Sequence, residues 1–199
     1  MKTSFKTGLI GLILLSANSP LFAAEETLPV SLKLPDRFAM DACPQKVWQD
    51  LKVVWKGVED VRSHKELGEM NPGSDHPTFL ISELPLGQVF EGALKQLFSQ
   101  CGMTWVAPGN ETLPQLSARI EAFDLGVDKK LLTQKGKARS LIKISVEKPG
   151  VKTNADVGYE IETKTSRFQT KEKIQKTLNE LFSKTLEQIP KNSTLRELK

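Results

Sequence analysis

Hydrophobic and polar residues alternate along several stretches of this 199-residue chain, with the two-residue period of half-buried β-strands. The strands predicted from this alternation and from clusters of β-branched residues cover 28–34, 51–62, 78–82, 103–107, 115–127, 137–147 and 154–165. A short helical turn is expected at 44–50, and Gly57 is a candidate for a β-bulge. Turn residues separate the last three strands, which favours an antiparallel meander.

Two other stretches repeat apolar residues every three or four positions, which is typical of amphipathic helices. The first, 85–100, is followed by Gly102, and the second begins after the N-cap candidate Thr170 and ends at Pro190. The apolar stripes comprise Leu86, Val89, Phe90, Ala93, Leu94, Leu97 and Phe98, and then Ile174, Leu178, Leu181, Phe182, Thr185 and Ile189. The predicted fold is therefore α+β: an antiparallel sheet of about five to seven strands with two amphipathic helices packed on one face.

Residues 1–24 have the pattern of a secretory signal peptide. Two lysines precede an apolar run at 8–15, and the small pair Ala23–Ala24 closes the segment. The apolar run is shorter than the roughly 20 residues that span a bilayer. We expect cleavage after Ala23 or Ala24, and hence a periplasmic protein without a transmembrane helix.

The mature chain is predicted to form a single α+β domain, 25–190, followed by an exposed C-terminal tail, 191–199. Its two cysteines are Cys43 and Cys101, and neither directly follows the cleavage site, so no lipid anchor is expected. An even number of cysteines in an oxidising compartment favours a disulfide between them. Two separate buried thiols are the alternative.

Charge is distributed unevenly along the sequence. Residues 25–128 contain 9 basic and 16 acidic side chains, whereas 129–199 contain 17 basic and 8 acidic ones. The basic half could contact anionic lipid headgroups, glycans or an acidic partner, or its lysines could simply be solvated. Nucleic acid is not expected, because an exported protein rarely meets it and no aromatic–basic motif is present.

Residues that could support catalysis or cofactor binding are sparse. The two histidines, His64 and His76, match no metal-ligand spacing, and no nucleophile elbow, phosphate loop or dinucleotide motif occurs. We therefore expect no enzyme activity, no metal and no cofactor. Trp48 is a candidate anchor for a partner, although core packing is the usual role of tryptophan.

The run VVWKGVEDVRSHKELGEM at 53–70 contains Asp60-x-Arg62 followed by Leu67-Gly68. This pattern resembles the signature of the YajG-like envelope lipoprotein family, and the resemblance continues through 84–106 to STLRELK at 193–199. It implies a compact α+β sandwich with two helices on an antiparallel sheet, in an envelope protein without established catalytic residues. Relatives are typically lipid-anchored, and this chain departs from them in lacking the acylated cysteine.

Two functions follow as hypotheses. The first is a non-catalytic periplasmic accessory or scaffold protein that binds an envelope complex, with contacts at Asp60 and Arg62 beside the long 63–78 loop. These two residues could instead form a structural ion pair that holds the loop. The second is an auxiliary component of envelope lipid or solute transport that binds anionic lipid or another ligand.

Overall fold

The computed structural model describes residues 26–36, 38–43, 45–70, 75–109, 112–130, 133–165 and 170–198. The predicted signal peptide and its cleavage site at Ala23 or Ala24 lie outside these residues. Within the described ranges, no helix combines the length and apolar character needed to cross a membrane.

Within these ranges the chain forms eight strands and four α-helices. The strands are β1 Glu26–Val30, β2 Lys52–Asp60, β3 Gly68–Met70, β4 Thr78–Ser82, β5 Thr104–Val106, β6 Gln115–Lys130, β7 Thr133–Lys148 and β8 Val151–Thr165. The helices are α1 Phe38–Ala42, α2 Leu86–Gln100, α3 Lys171–Gln188 and α4 Ser193–Arg196, with a 3-10 turn, Ile189–Lys191, between the last two.

Most predicted elements are present, with differences near the N-terminus. The predicted β4 and the two long helices match the structure closely, and the register of β2 shifts between Trp55 and Gly57, as expected for a bulge. The first strand instead begins at Glu26, α1 at 38–42 was not predicted, and 47–50 form hydrogen-bonded turns rather than a helix. β3 was not predicted, because three residues are too few to reveal a period.

The strands form one mixed sheet, so the purely antiparallel prediction is only partly correct. The meander β6–β7–β8 is antiparallel as expected. However, β2 pairs in parallel with both β5 and β6, and β1 pairs in parallel with β4. Parallel pairing is possible here because long connections separate the paired strands in sequence, whereas only two residues separate consecutive strands of the meander.

β6 is the strand at which the sheet divides. β7 pairs with one edge along its whole length. The other edge is shared: β2 pairs with the first half, up to Ile120, and β3 touches the second half at Leu125. One branch then continues to β5, and the other continues through β4 to β1. We call this division, with the connecting residues 61–67, the fork.

Both long helices cover the same face of the sheet, as predicted. Phe90 of α2, Phe123 of β6 and Phe182 of α3 meet in the core. The ring centroid of Phe90 lies 5.4 Å from that of Phe123 and 4.7 Å from that of Phe182, and the centroids of Phe123 and Phe182 are 6.3 Å apart. Thr170 caps α3 by accepting a hydrogen bond from the backbone N–H of Lys173. The shared aromatic cluster fixes α2 and α3 relative to β6.

The predicted disulfide between Cys43 and Cys101 is present, with the two Cα atoms 5.4 Å apart. It joins the segment after α1 to the residue that ends α2. Closing a loop with a sequence separation of 58 residues stabilises the fold by about 4 kcal/mol in the chain-entropy model.

The prediction of an exposed C-terminal tail is wrong. Asn192 caps α4, and the side chains of Leu195 and Leu198 are buried, at 0% and 5% exposure. The predicted role of Trp48 as a partner anchor is also wrong, because Trp48 is fully buried and its indole N–H donates to the carbonyl of Leu195 at 2.7 Å. The C-terminal residues therefore cover Trp48 and complete the core.

Candidate functional site

Asp60 and Arg62 form a paired unit at the end of β2. The Nε of Arg62 donates to Oδ1 of Asp60 at 2.9 Å, and Nη2 donates to Oδ2 at 3.0 Å. The Arg62 side chain is 5% exposed and the Asp60 side chain 16%. This bidentate geometry is the strongest form of an arginine–carboxylate pair.

The remaining donors of Arg62 bind backbone carbonyls on both sides of the fork. Nη2 donates to the carbonyl of Lys65 at 3.1 Å, and Nη1 donates to the carbonyls of Glu66 at 3.1 Å and Phe123 at 2.8 Å. All five N–H donors of the guanidinium therefore have protein acceptors. The carbonyl of Phe123 lies between the last contact of β2 and the first contact of β3 on β6, so Arg62 supplies the donor that a continuous strand would provide.

Gly68 brings β3 against β6 at the other side of this gap. Its φ of +146° lies in a region that side chains rarely adopt. A Cβ atom at this position would lie 2.2 Å from the carbonyl oxygen of Leu125, a distance that packed atoms do not tolerate. The motif Asp60-x-Arg62 with Leu67-Gly68 is therefore a structural device that holds the sheet at its fork.

The pKa of the Asp60 carboxyl lies below its ordinary value. Burial acts to raise the pKa of the carboxyl, but the hydrogen bonds and charge of Arg62, with a smaller contribution from Lys65, lower it further than burial raises it. Of the two interpretations of this pair, the geometry matches the structural ion pair. The polar groups of Asp60 and Arg62 are engaged within the chain, although both residues line the surface described next.

A groove of about 640 Å³ opens beside the fork, between the end of β2, the end of β4 and the start of α2. Its lining residues are Val58, Asp60, Arg62, Lys65, Glu66, Ile81, Ser82, Glu83, Leu84, Pro85, Leu86, Gly87, Gln88 and Glu91. Sheet, loop and helix all contribute to it. Arg62 and the aromatic core link these three elements to one another.

The apolar part of the groove centres on Leu84, whose side chain is 60% exposed. Val58 and Ile81 are half-buried beside it, and Leu86 is buried. Leu84 stands one residue before the helix N-cap Pro85, where an apolar side chain often packs back on the first turns of its own helix. Here the side chain remains largely in solvent.

The groove also contains polar groups without protein partners. The hydroxyl of Ser82 is buried and has no hydrogen-bond partner among the described residues. Among the described residues no side chain caps α2, and its first backbone bonds run from the N–H groups of Gln88 and Val89 to the carbonyl of Pro85. The N–H groups of Leu86 and Gly87 precede these bonds and belong to lining residues.

The rim of the groove carries more acid than base. Glu66 and Glu83 form no ion pair with another described residue. Glu91 is different: hydrogen bonds from Lys95 and from Trp55 lower the pKa of its carboxyl, and Lys95 lies 2.7 Å away. Two unpaired carboxylates therefore flank the apolar surface.

Sequence reasoning placed Asp60 and Arg62 here but missed the residues 81–88 that form most of the groove. The available signal was Leu84, an apolar residue outside the stripe of the following helix. His64 and His76 are exposed, and no group of three or more potential metal ligands occurs within the described residues.

Comparison with known proteins gives the family. The model of a family of uncharacterized lipoproteins matches residues 52–198, and the chain therefore belongs to that family. No curated protein matches the sequence.

A solved structure with a similar architecture supports the fold. The crystal structure of a Xanthomonas campestris protein of the DUF330 family has a TM-score of 0.54 at 8% identity, covering 82% of this chain and 92% of that one. A lipoprotein of Neisseria meningitidis, GNA1162, aligns at 9% identity over 71% of this chain and 99% of its own, with a TM-score of 0.34 that carries no structural argument. At these identities, the first likeness shows the architecture alone.

Proposed function

We propose that this protein is a non-catalytic accessory protein of the bacterial envelope that binds a partner protein through the groove beside the fork. The observation that carries the proposal is the exposed Leu84 in a groove that sheet, loop and helix residues line, beside the Ser82 hydroxyl, which has no hydrogen-bond partner among the described residues. Exposed apolar side chains within a concave, polar-rimmed surface are typical of sites for protein partners.

A binding role is favoured over catalysis by the chemistry of the lining residues. The hydroxyl of Ser82 has no base within hydrogen-bonding distance among the described residues, so no activated nucleophile is assembled. The pKa values of Asp60 and Glu91 are lowered, whereas a general acid or base at neutral pH needs a carboxyl pKa that is raised.

The periplasmic location, the signal peptide and the specific YajG-like assignment are part of the same proposal. They rest on the sequence of residues 1–24 and on the 53–70 motif.

Site-specific photo-crosslinking tests the proposal. A photoreactive amino acid replaces Leu84 in one variant and Val151 in another, because the two side chains are equally exposed at 60% and 59%. In envelope preparations, the photoreactive residue at position 84 should crosslink to one discrete protein. A photoreactive residue placed in that partner should in turn crosslink to this protein. Equal crosslinking at both positions, or none at either, would contradict a partner site in the groove.

A second candidate is binding to anionic lipid by the basic half of the chain. The register of β6, β7 and β8 brings Lys129, Lys135, Lys137 and Lys164 to the same end of the meander. Clustered lysines favour anionic headgroups. Salt-sensitive sedimentation with phosphatidylglycerol vesicles would support this role, and its absence with the intact protein would remove it.

A further inference from the structure

We infer that the groove receives an extended peptide segment of the partner, in which an apolar side chain is flanked by lysine or arginine. The inference rests on the proposed function and specifies the chemistry of its partner. It depends on three features of the groove: its apolar surface, its unused hydrogen-bonding groups and its charge.

The apolar surface selects the central side chain of the segment. Leu84, Ile81 and Val58 are apolar lining residues of the groove, and none of the three is fully buried. An aliphatic or aromatic side chain placed between them would remove apolar area from water on both partners. Because this surface sits beside the first turn of α2, the occupant must bring its backbone close to the helix N-terminus.

The unused polar groups favour a peptide backbone over a hydrocarbon chain. The N–H groups of Leu86 and Gly87 can donate to carbonyl oxygens, and the buried Ser82 hydroxyl has no partner among the described residues. An extended peptide offers both kinds of group at regular spacing. A lipid acyl chain would leave these groups unsatisfied, which disfavours its binding.

The charge of the rim selects the flanking residues. Glu66 and Glu83 lack ion-pair partners among the described residues, and Arg62 is already saturated with acceptors. The groove also belongs to the half of the sequence, 25–128, that carries 9 basic and 16 acidic side chains. This field attracts a cationic segment and repels an anionic headgroup.

The test uses two fluorescent peptides with the same trileucine centre, one flanked on each side by two lysines and the other by two glutamates. The full mature protein should bind the lysine peptide at least about ten-fold more tightly, with an affinity that falls as salt rises. Leu84→Asp should abolish binding, whereas Val151→Asp, at an equally exposed position, should leave it unchanged.

Charge reversal gives the sharper result. The double variant Glu66→Lys/Glu83→Lys should reverse the preference in favour of the glutamate peptide. The matched control, Glu180→Lys/Glu197→Lys, changes the same net charge at exposed positions outside the groove and should keep the original preference. Circular dichroism and thermal unfolding check that each variant is folded.

Equal binding of both peptides, or a preference that the groove reversal does not alter, would overturn the inference. Binding of phosphatidylglycerol vesicles that is lost in Leu84→Asp would also overturn it. The proposed function would survive either result if position 84 still crosslinked to an envelope protein, so the two claims can fail separately.

Discussion

In the meander, β6, β7 and β8 pair along almost their entire length, with one register shift between Ile120 and Ala122. On the opposite edge of β6, pairing with β2 ends at Ile120 and resumes only at Leu125 with β3. In the meander, regular strand pairing satisfies the backbone N–H and C=O groups. At the fork this pairing is interrupted, so Arg62 supplies a side-chain donor to the Phe123 carbonyl and Gly68 allows β3 to approach β6 closely.

The difference extends to the surfaces that the two regions present. The outer face of the meander carries cross-strand ion pairs, such as Lys143 with Glu121 and Arg139 with Asp124. The fork instead borders a groove with an exposed leucine and a hydroxyl that has no partner in the described part of the chain. An interruption in a sheet thus has two consequences. Particular residues are needed to stabilise it, and hydrogen-bonding groups beside it remain free to bind a ligand.

The largest effect is expected at Gly68. Gly68→Ala should lower the free energy of unfolding by about 4 kcal/mol or more, because the new Cβ would collide with the Leu125 carbonyl and the backbone would be strained. Gly109→Ala is the control: its φ of +115° is similarly unfavourable, but no atom lies within 4 Å of the added Cβ. Urea unfolding should show the larger loss at Gly68, and equal losses would refute the role of close packing.

The next effect concerns Arg62. Arg62→Met should cost about 3 kcal/mol, because it leaves Asp60 without its main partner and the Phe123 carbonyl without a donor. Chemical denaturation at neutral pH measures this loss. A cost below about 1 kcal/mol would show that the fork does not depend on the guanidinium.

The same pair predicts a pH dependence. The pKa of Asp60 is lowered in the folded protein relative to its ordinary value of 3.8, so its contribution is complete above that value and is lost as pH falls through the lower folded pKa. The wild-type protein should therefore lose stability on acidification below about pH 4. In Arg62→Met this part of the acid dependence should flatten or change sign, as measured by urea unfolding at a series of pH values.

A smaller and opposite effect is expected at Ser82. Ser82→Ala removes a buried hydroxyl that lacks a partner among the described residues, so stability should rise by up to about 1 kcal/mol. Binding of the lysine-flanked peptide should weaken at the same time. A loss of stability, or unchanged binding, would indicate that the hydroxyl does not serve an occupant of the groove.

The smallest effect is expected in the meander. Lys143 lies 3.2 Å from Glu121 and 3.9 Å from Asp156 on a solvated face. Lys143→Met should change stability by less than about 0.5 kcal/mol, because such pairs are screened by water. A loss comparable to that of Arg62→Met would remove the contrast between the two regions.

The long strands and helices could be predicted because each hydrophobic period repeats several times along the sequence. The strands of the meander and the stripes of α2 and α3 extend over many residues with one repeat each. The fork has no period: β3 is three residues long, and Arg62 bonds to a carbonyl 61 positions away. Local patterns also missed the burial of Leu195 and Leu198, which depends on Trp48 reaching the C-terminus.

The most direct test of the binding site is a titration of the isotopically labelled protein with the lysine-flanked peptide, followed by two-dimensional 1H–15N NMR. The account predicts saturable shifts at the backbone N–H groups of Leu86, Gly87 and Gln88, with no change at Val151 and Lys152 near the start of β8. Shifts confined to the meander, or no shifts at the start of α2 at peptide concentrations that saturate the fluorescence signal, would contradict it.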